Sequence, residues 1–256
     1  MHKVSVTVLG SGSCGNSILV SSEDTVMIDA GLSCKELERR MSAVGADPAS
    51  VDALFLTHEH TDHTRGALRF CSKYEVPVHG TDGTLSLTPL NGVRTVPIST
   101  KHAVTVGSVT ARPFPVRHFA AEPVAFTLQV RGRKIAIASD LGCVTPRVVD
   151  DMGSADIMLV EANYDDEMLM SGPYPDFLKR TIRSDHGHLC NEDAGVLVSK
   201  AASENTDRIV LLHLSKENNT PEKAREAVRK GVESGGHRPQ IAVTEHGGMN
   251  GPFDLR

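Results

Sequence analysis

Residues 58–63 read HEHTDH, so three histidines, one glutamate and one aspartate crowd into six consecutive positions. The stretch follows an apolar run, VDALFL. Divalent cations are held by imidazole nitrogens and carboxylate oxygens converging at about 2.0–2.2 Å. Residues two apart on an extended loop can turn to the same side, so His58 and His60 can share one ion. Asp62 and His63, past the bend, then face a second. The alternative is a solvated polar turn. That alternative leaves unexplained why the cluster begins where a buried strand ends, the position at which open α/β sheets often hold ligands.

Four side chains do not complete two metal sites, and three distant positions repeat the same pattern of a ligand type at the end of an apolar strand. His118 follows RPFPVR, Asp140 follows KIAIAS, and His213 lies within RIVLLHLS. Any one alone would read as a satisfied core or loop residue; together, in a chain that needs ligands, they point to metal. Asp140, a carboxylate, suits a bridging position. Mixed imidazole and carboxylate ligation suits Zn²⁺ first, with Mn²⁺ or Fe²⁺ as alternatives.

The elements that must position these residues form a mixed pattern. VSVTVL, SILVSS and TVMIDA read as strands, and a helix is expected around 33–43 with Ser33 as its cap. A second helix is expected over about 64–73. PVHG, VRTVPI, VTARPFPV, PVAFTLQV and KIAIAS continue as β-branched strands broken by Gly and Pro. NEDAGVLVSKAA reads as a helix behind an Asn cap, and RIVLLHL as a strand buried on both faces. TPEKAREAVRKG reads as a helix with a Thr cap, Pro at its first position and a terminal Gly. IAVTE reads as a last strand. Pattern alone gives a mixed α/β architecture with sheets between helical layers.

No linker or internal repeat divides the 256 residues, so one domain over 1–256 is expected. A formal net charge of −5 argues against broad attraction to nucleic acid but leaves room for a local basic groove. No run approaches a membrane span, and MHKVSVTVLG lacks a signal-peptide core. The five cysteines form no CxxC pair, which suits a reducing cytoplasm with each thiol as a small buried side chain.

THEHTDH resembles the HxHxDH signature of the metallo-β-lactamase fold, and the His118, Asp140 and His213 positions are similar to that superfamily's later ligand motifs. The resemblance narrows to the YycJ/WalJ-like branch through VLGSGSCGNS, RHFAAEP, SDLGCVTPRV, EANYDDEMLMSGPYP, SDHGHLCNEDAG and LLHLSKENN, which together span most of the chain. It implies an αββα sandwich, two mixed β-sheets flanked by helices, with two metal ions at one edge. His58, His60 and His118 would bind one ion, Asp62, His63 and His213 the other, with Asp140 between. Flavo-diiron oxidoreductases of this fold usually carry Glu where His60 stands, which disfavours oxygen reduction. Members of the YycJ/WalJ branch are regarded as exonucleases acting from the 5′ end of duplex DNA. RNase Z enzymes and the cyclic phosphodiesterase PhnP are more distant relatives.

The chemistry implied is phosphodiester hydrolysis by a metal-bridging hydroxide, because two cations lower the pKa of water and stabilise attacking and leaving oxygens. Asp62 would ligate and orient this nucleophile. His188 is the candidate general acid for the leaving alkoxide, oriented by Glu161, since SDHGH and EANY resemble RNase Z elements. The alternative for His188 is a cap on the helix starting near Asn191. His186 matches nothing in the family pattern. Lys179, Arg180 and Arg183 form a basic cluster ahead of His188, either a phosphate grip or an ordinary solvated helix face. The loop GSGSCGNS, with Ser13 and Asn16, permits close approach by a phosphate, although it is not a P-loop. His2, His79, His102, His237 and His246 match no ligand position and are expected to be structural or exposed. A metallohydrolase of small cyclic phosphodiesters, lactones or thioesters, and a non-catalytic metal-binding scaffold, are the competing functions. DNA is the expected substrate of the leading one.

Overall fold

The structure, a computed structural model, describes residues 3 to 255, so His2 lies outside the described residues. The chain lays down β1 (Val4–Gly10), β2 (Ser17–Ser21), β3 (Thr25–Ile28), β4 (Val51–Phe55), β5 (Val78–Gly80) and β6 (Thr95–Pro97). It continues through β7 (Val104–Val106), β8 (Val109–Pro115), β9 (Val124–Val130), β10 (Arg133–Ala138), β11 (Ile157–Glu161), β12 (Arg208–Leu212), β13 (Gln240–Val243) and β14 (Asn250–Leu255). Two seven-stranded sheets result, in the orders β14-β1-β2-β3-β4-β5-β6 and β13-β12-β11-β10-β9-β8-β7. Each is mixed: β1 to β3 and β7 to β10 run antiparallel, whereas β3 to β6 and β10 to β13 pair in parallel.

Three apolar clusters define the layers. Val6, Val20, Ile28 and Phe55 of one sheet meet Phe126, Leu128, Ile137 and Leu159 of the other between the sheets. The outer face of the first sheet buries Leu54 and Leu56 against Leu37, Met41 and Phe70 of helices Cys34–Ala43 and Ala67–Tyr74. The outer face of the second buries Met158 and Leu211 against helices Pro146–Met152, Asn191–Ala201 and Pro221–Ser234. This is the expected αββα sandwich. No described helix is long and apolar enough to cross a membrane.

Ser33 caps its helix as expected, accepting from Glu36 N. Other local expectations need correction. The helix expected over 64–73 is two pieces, Thr61–Thr64 and Ala67–Tyr74. Cys190 Sγ, not Asn191, caps helix Asn191–Ala201, and the Asn191 amide instead pairs with Asn219 inside the fold. Gly231 does not end its helix, which runs to Ser234. A methyl there would meet the Gly195 carbonyl oxygen at 2.3 Å, so the glycine permits a close helix crossing. The chain closes on β14, beyond the expected last strand. The cysteines are all free, but only Cys71 is buried; Cys14 is exposed and Cys34, Cys143 and Cys190 are half-buried.

Candidate active site

β3, β4, β10, β11 and β12 lie in parallel stretches, and their C-terminal ends supply the polar side chains that gather at one edge of the sandwich. Asp29 follows β3, Thr57 and His58 follow β4, Asp140 follows β10, Glu161 ends β11 and His213 follows β12. His118 follows β8 by three residues, and His60 caps the short turn of helix that carries Asp62 and His63. Asp29, Asp140 and His213 each turn the chain through positive φ, 59°, 53° and 57°. Such left-handed backbone costs roughly 1–3 kcal/mol per non-glycine residue and persists where the surroundings over-determine it. Here it lets the chain leave a buried strand while the side chain stays at the edge. At Gly31 a methyl would come within 1.6 Å of the Asp62 carbonyl oxygen, so only glycine lets these two segments touch.

Hydrogen bonds set which nitrogen of each imidazole faces the cluster. His63 Nδ1 donates to Asp29 Oδ2 (2.7 Å), His118 Nδ1 to the Gly187 carbonyl oxygen (3.0 Å), and His213 Nδ1 to Glu161 Oε1 (3.0 Å). Thr57 Oγ1 donates to the same Asp29 Oδ2 (2.8 Å) while Thr57 N donates to Oδ1, and Thr57 Oγ1 in turn accepts from His58 Nδ1 (3.0 Å). Each ring thereby turns its Nε2 toward the cluster, where that of His63 also lies 3.0 Å from Asn16 Nδ2. His58 Nε2 and His60 Nδ1 stand 3.0 Å apart. Outer partners of this kind hold ring orientation and raise ligand basicity in metal sites.

Four sets of ligand atoms lie within 4.8 Å of one another among the described residues: His58, His60 and His118; Asp62, His63 and His213; His58, His63 and Asp140; and Asp140, Glu161, His188 and His213. The first two sets coincide with the two triads expected from the sequence, and Asp140 joins both sides. The donors fit divalent cations. Asp140 Oδ2 and His213 Nε2 are buried and have no hydrogen-bond partner. His63 Nε2 lies 3.0 Å from Asp140 Oδ2 but is not aligned for a hydrogen bond. Unpaired lone pairs inside a protein are costly unless a cation or donor meets them.

Charge is concentrated accordingly. Burial alone lowers the pKa of His63, but Asp140 and Asp29 outweigh it and push it up to about 10. Burial likewise opposes His213, yet Asp140, Asp62 and Glu161 hold it well above its ordinary value. Burial and the neighbouring His63 drive His58 well below its ordinary value, and burial lowers His118. Burial opposes ionisation of Asp140, but His213 and His63 keep it well below the usual carboxylate range.

Glu161 differs from the other carboxylates. Its Oε1 accepts from both His188 Nδ1 (2.8 Å) and His213 Nδ1 (3.0 Å), and its Oε2 from the backbone N–H groups of Leu141 and Leu189. With both oxygens occupied it has no free lone pair aimed at a cation. Its anion outweighs burial and raises the pKa of His188.

The residues expected to meet substrate divide. Asn16 is buried; its amide oxygen accepts from Gly12 N (2.8 Å) and its Nδ2 donates to Asp62 Oδ2 (3.2 Å), so it braces Asp62 and offers nothing to a substrate phosphate. Ser13 is exposed on the same loop and makes no hydrogen bond, whereas its neighbour Ser11 accepts from His213 N (2.7 Å). Lys179 Nζ donates to the Met170 carbonyl oxygen, and Arg183 pairs with Asp166 (2.8 Å). Arg180 lines, with Arg183, Tyr164, Cys190 and three acids, a cavity of about 520 Å³. Among the remaining histidines, His79 is buried against Phe55, His102 is exposed, His237 is half-buried and His246 contacts Cys14 Sγ. The sequence expectations omitted Asp29, Thr57 and Ser11. Asp29 carried the same signal as Asp140, a carboxylate directly after the apolar strand TVMI.

Fold and cluster together are those of a metallo-β-lactamase-fold hydrolase. The family described as "Beta-lactamase superfamily domain" matches residues 24–214, and the chain belongs to that superfamily. It is 35% identical over 237 residues to the exodeoxyribonuclease YycJ of Bacillus anthracis, covering 90% of this chain and 89% of that protein. It is 34% identical over 226 residues to the exodeoxyribonuclease WalJ of Streptococcus pneumoniae, covering 85% and 84% respectively. Among solved structures, the metallo-β-lactamase fold protein YhfI of Bacillus subtilis covers 100% of both chains with a TM-score of 0.76 at 17% identity.

Proposed function

We propose that the protein is a two-metal phosphodiesterase that removes nucleotides from the 5′ end of duplex DNA. The observation that carries this reading is the Glu161 carboxylate, shared between His213 inside the cluster and His188 beside it. That arrangement couples a cation site to an imidazole placed to deliver a proton. The similarity to two exodeoxyribonucleases over most of the chain selects DNA from the phosphodiesters such a site could cleave.

In this reading His58, His60 and His118 would hold one divalent cation and Asp62, His63 and His213 a second, with Asp140 available to both. Zn²⁺ is the first candidate, with Mn²⁺ and Fe²⁺ compatible with the same donors. When bound, such a pair lowers the pKa of water and neutralises charge on phosphate oxygens. Asp62, half-exposed and held by Asn16, orients the attacking water. The water oxygen bonds to phosphorus, the bond from phosphorus to the leaving oxygen breaks, and His188 Nε2 gives that oxygen its proton. Glu161 is a positioning residue: it fixes the His188 ring and favours the protonated form that can donate. Arg180 makes no hydrogen bond or ion pair among the described residues and is available to a substrate phosphate, more so than Lys179 or Arg183.

The test is digestion of end-labelled duplex DNA by protein loaded with Zn²⁺ or Mn²⁺. Release of nucleotides from the 5′ end, lost in His188→Ala, is the expected result. A preparation with two cations bound that releases no nucleotide rejects the reading.

A further inference from the structure

Phe119 follows His118 directly, yet its side chain is 55% exposed. Isolated exposed apolar residues are common and need no explanation. This one is fixed in place beside the site. Its backbone N–H donates to the His186 carbonyl oxygen (3.1 Å), and its ring lies 5.5 Å from the exposed His186 imidazole at an interplanar angle of 39°. The segment bearing His186 is itself braced. Gly187 N donates to Ser184 O (2.8 Å), His188 N to Ile182 O (2.9 Å), and His118 Nδ1 to Gly187 O (3.0 Å). The aromatic pair is therefore bracketed by His118 on one side and by the candidate general acid, two residues after His186, on the other.

We propose that Phe119 and His186 form a stacking platform for the nucleobase on the leaving side of the scissile phosphodiester; the inference rests on the DNA-hydrolysis reading above. His188 protonates the leaving oxygen, so the nucleoside that carries this oxygen lies on the side of the 184–188 loop, where the two rings are. Removal of a 5′-terminal nucleotide breaks the bond to its own 3′ oxygen, which makes the leaving nucleoside the terminal one. An enzyme that shortens a strand stepwise must accept every base in turn. Stacking meets that requirement, because each base presents a π-face whatever its hydrogen-bonding edge. Two adjacent, outward rings held by backbone hydrogen bonds lose little freedom when a base lands on them.

The experiment is a cycle of protein and substrate deletions. Release of the 5′-labelled terminal residue is measured for wild type and Phe119→Ala, on duplexes whose terminal nucleotide is either intact or an abasic tetrahydrofuran analogue. Stacking is worth roughly a 5- to 150-fold change per base. Phe119→Ala is expected to lower kcat/KM on the intact end by a factor in that range, and wild type to lose a similar factor on the abasic end. The combination should lose no more than either change alone. Phe119→Trp should restore cleavage of the intact end. The platform is overturned if Phe119→Ala stays within about twofold of wild type on the intact end, or if the two losses multiply. Wild type inactive on every DNA would instead overturn the hydrolysis reading beneath it.

Discussion

Replacing Glu161 by glutamine probes the centre of the site. The carboxylate is fully buried and accepts four hydrogen bonds, from His188 Nδ1, His213 Nδ1, Leu141 N and Leu189 N at 2.8, 3.0, 2.7 and 3.2 Å. Glutamine keeps one acceptor oxygen and turns an NH₂ group against the other pair of donors. A buried donor without an acceptor costs about 1–3 kcal/mol, so the pair costs roughly 2–6 kcal/mol. Relief of repulsion with Asp140 offsets part of this. Domains with about 5–15 kcal/mol of stability tolerate most of that range. Glu161→Gln should therefore fold, with Tm lowered by roughly 4–20 °C.

The chemical effect is larger. His188 loses the anion that holds its imidazole protonated against burial, so its pKa falls. A general acid works only while protonated, and the protonated fraction shrinks as pH rises through the pKa. The alkaline limb of the pH profile therefore moves to lower pH in the variant. A positioned acid contributes about 10²–10⁴-fold, and kcat/KM on DNA, whose leaving alkoxide needs a proton, should fall by that order. Bis(4-nitrophenyl) phosphate expels a phenolate that needs no proton and should lose less than about tenfold. The assay is kcat/KM against pH on both substrates, with metal content measured alongside. Equal losses on the two, with metal content unchanged, would falsify the proton-delivery role.

Two further perturbations act through residues that touch no substrate. Asp29→Asn keeps a side chain that tolerates positive φ but removes the charge facing His63 Nδ1 and Thr57, so Zn²⁺ affinity measured by chelator competition should fall about 10- to 100-fold; unchanged affinity would show that Asp29 only braces the turn. Gly31→Ala forces a methyl into the Asp62 carbonyl and should cost about 3 kcal/mol or more, read as a Tm drop of roughly 6 °C or greater in thermal melts; wild-type melting would show that the turn relaxes freely.

The sequence made the strands, their grouping and the metal-type residues legible because each rests on a short-range pattern. Apolar runs marked β4, β10 and β12, and positions one to three residues past these strands supplied His58, Asp140 and His213. What escaped depended on contacts across the chain. Whether Asn16 faces substrate or Asp62 is decided by a loop folding back over 46 positions. Arg183 and Arg180 look alike in sequence, but Asp166 takes only Arg183. Cys190 caps a helix that offered Asn191 as the better residue by preference, because Asn219 recruits the asparagine into the fold. β14 carries Gly and Pro near its start and becomes a strand only through pairing with β1.

The cluster also explains how a protein can hold so many buried charges before any cation arrives. Asp29, Asp62, Asp140 and Glu161 crowd one edge, and without cations their charge is offset by protons on His63 and His213, whose pKa values stand above the ordinary imidazole range. Cations need the Nε2 lone pairs of the same rings, so binding must expel those protons. Metal affinity should therefore rise with pH through the neutral range, and mixing chelated protein with Zn²⁺ in weak buffer should release protons. The metal-free fold carries the opposite dependence. Between the ordinary imidazole pKa and about 10 for His63, the folded state binds more protons than the unfolded one, so stability is fully present below that window and declines as pH rises through it. Thermal melts of chelated protein at rising pH should show falling Tm, and saturating Zn²⁺ should flatten or reverse the slope. A metal-free Tm that climbs with pH through this window would mean that His63 and His213 are neutral, and that the buried carboxylates are balanced by something other than the protons that cations replace.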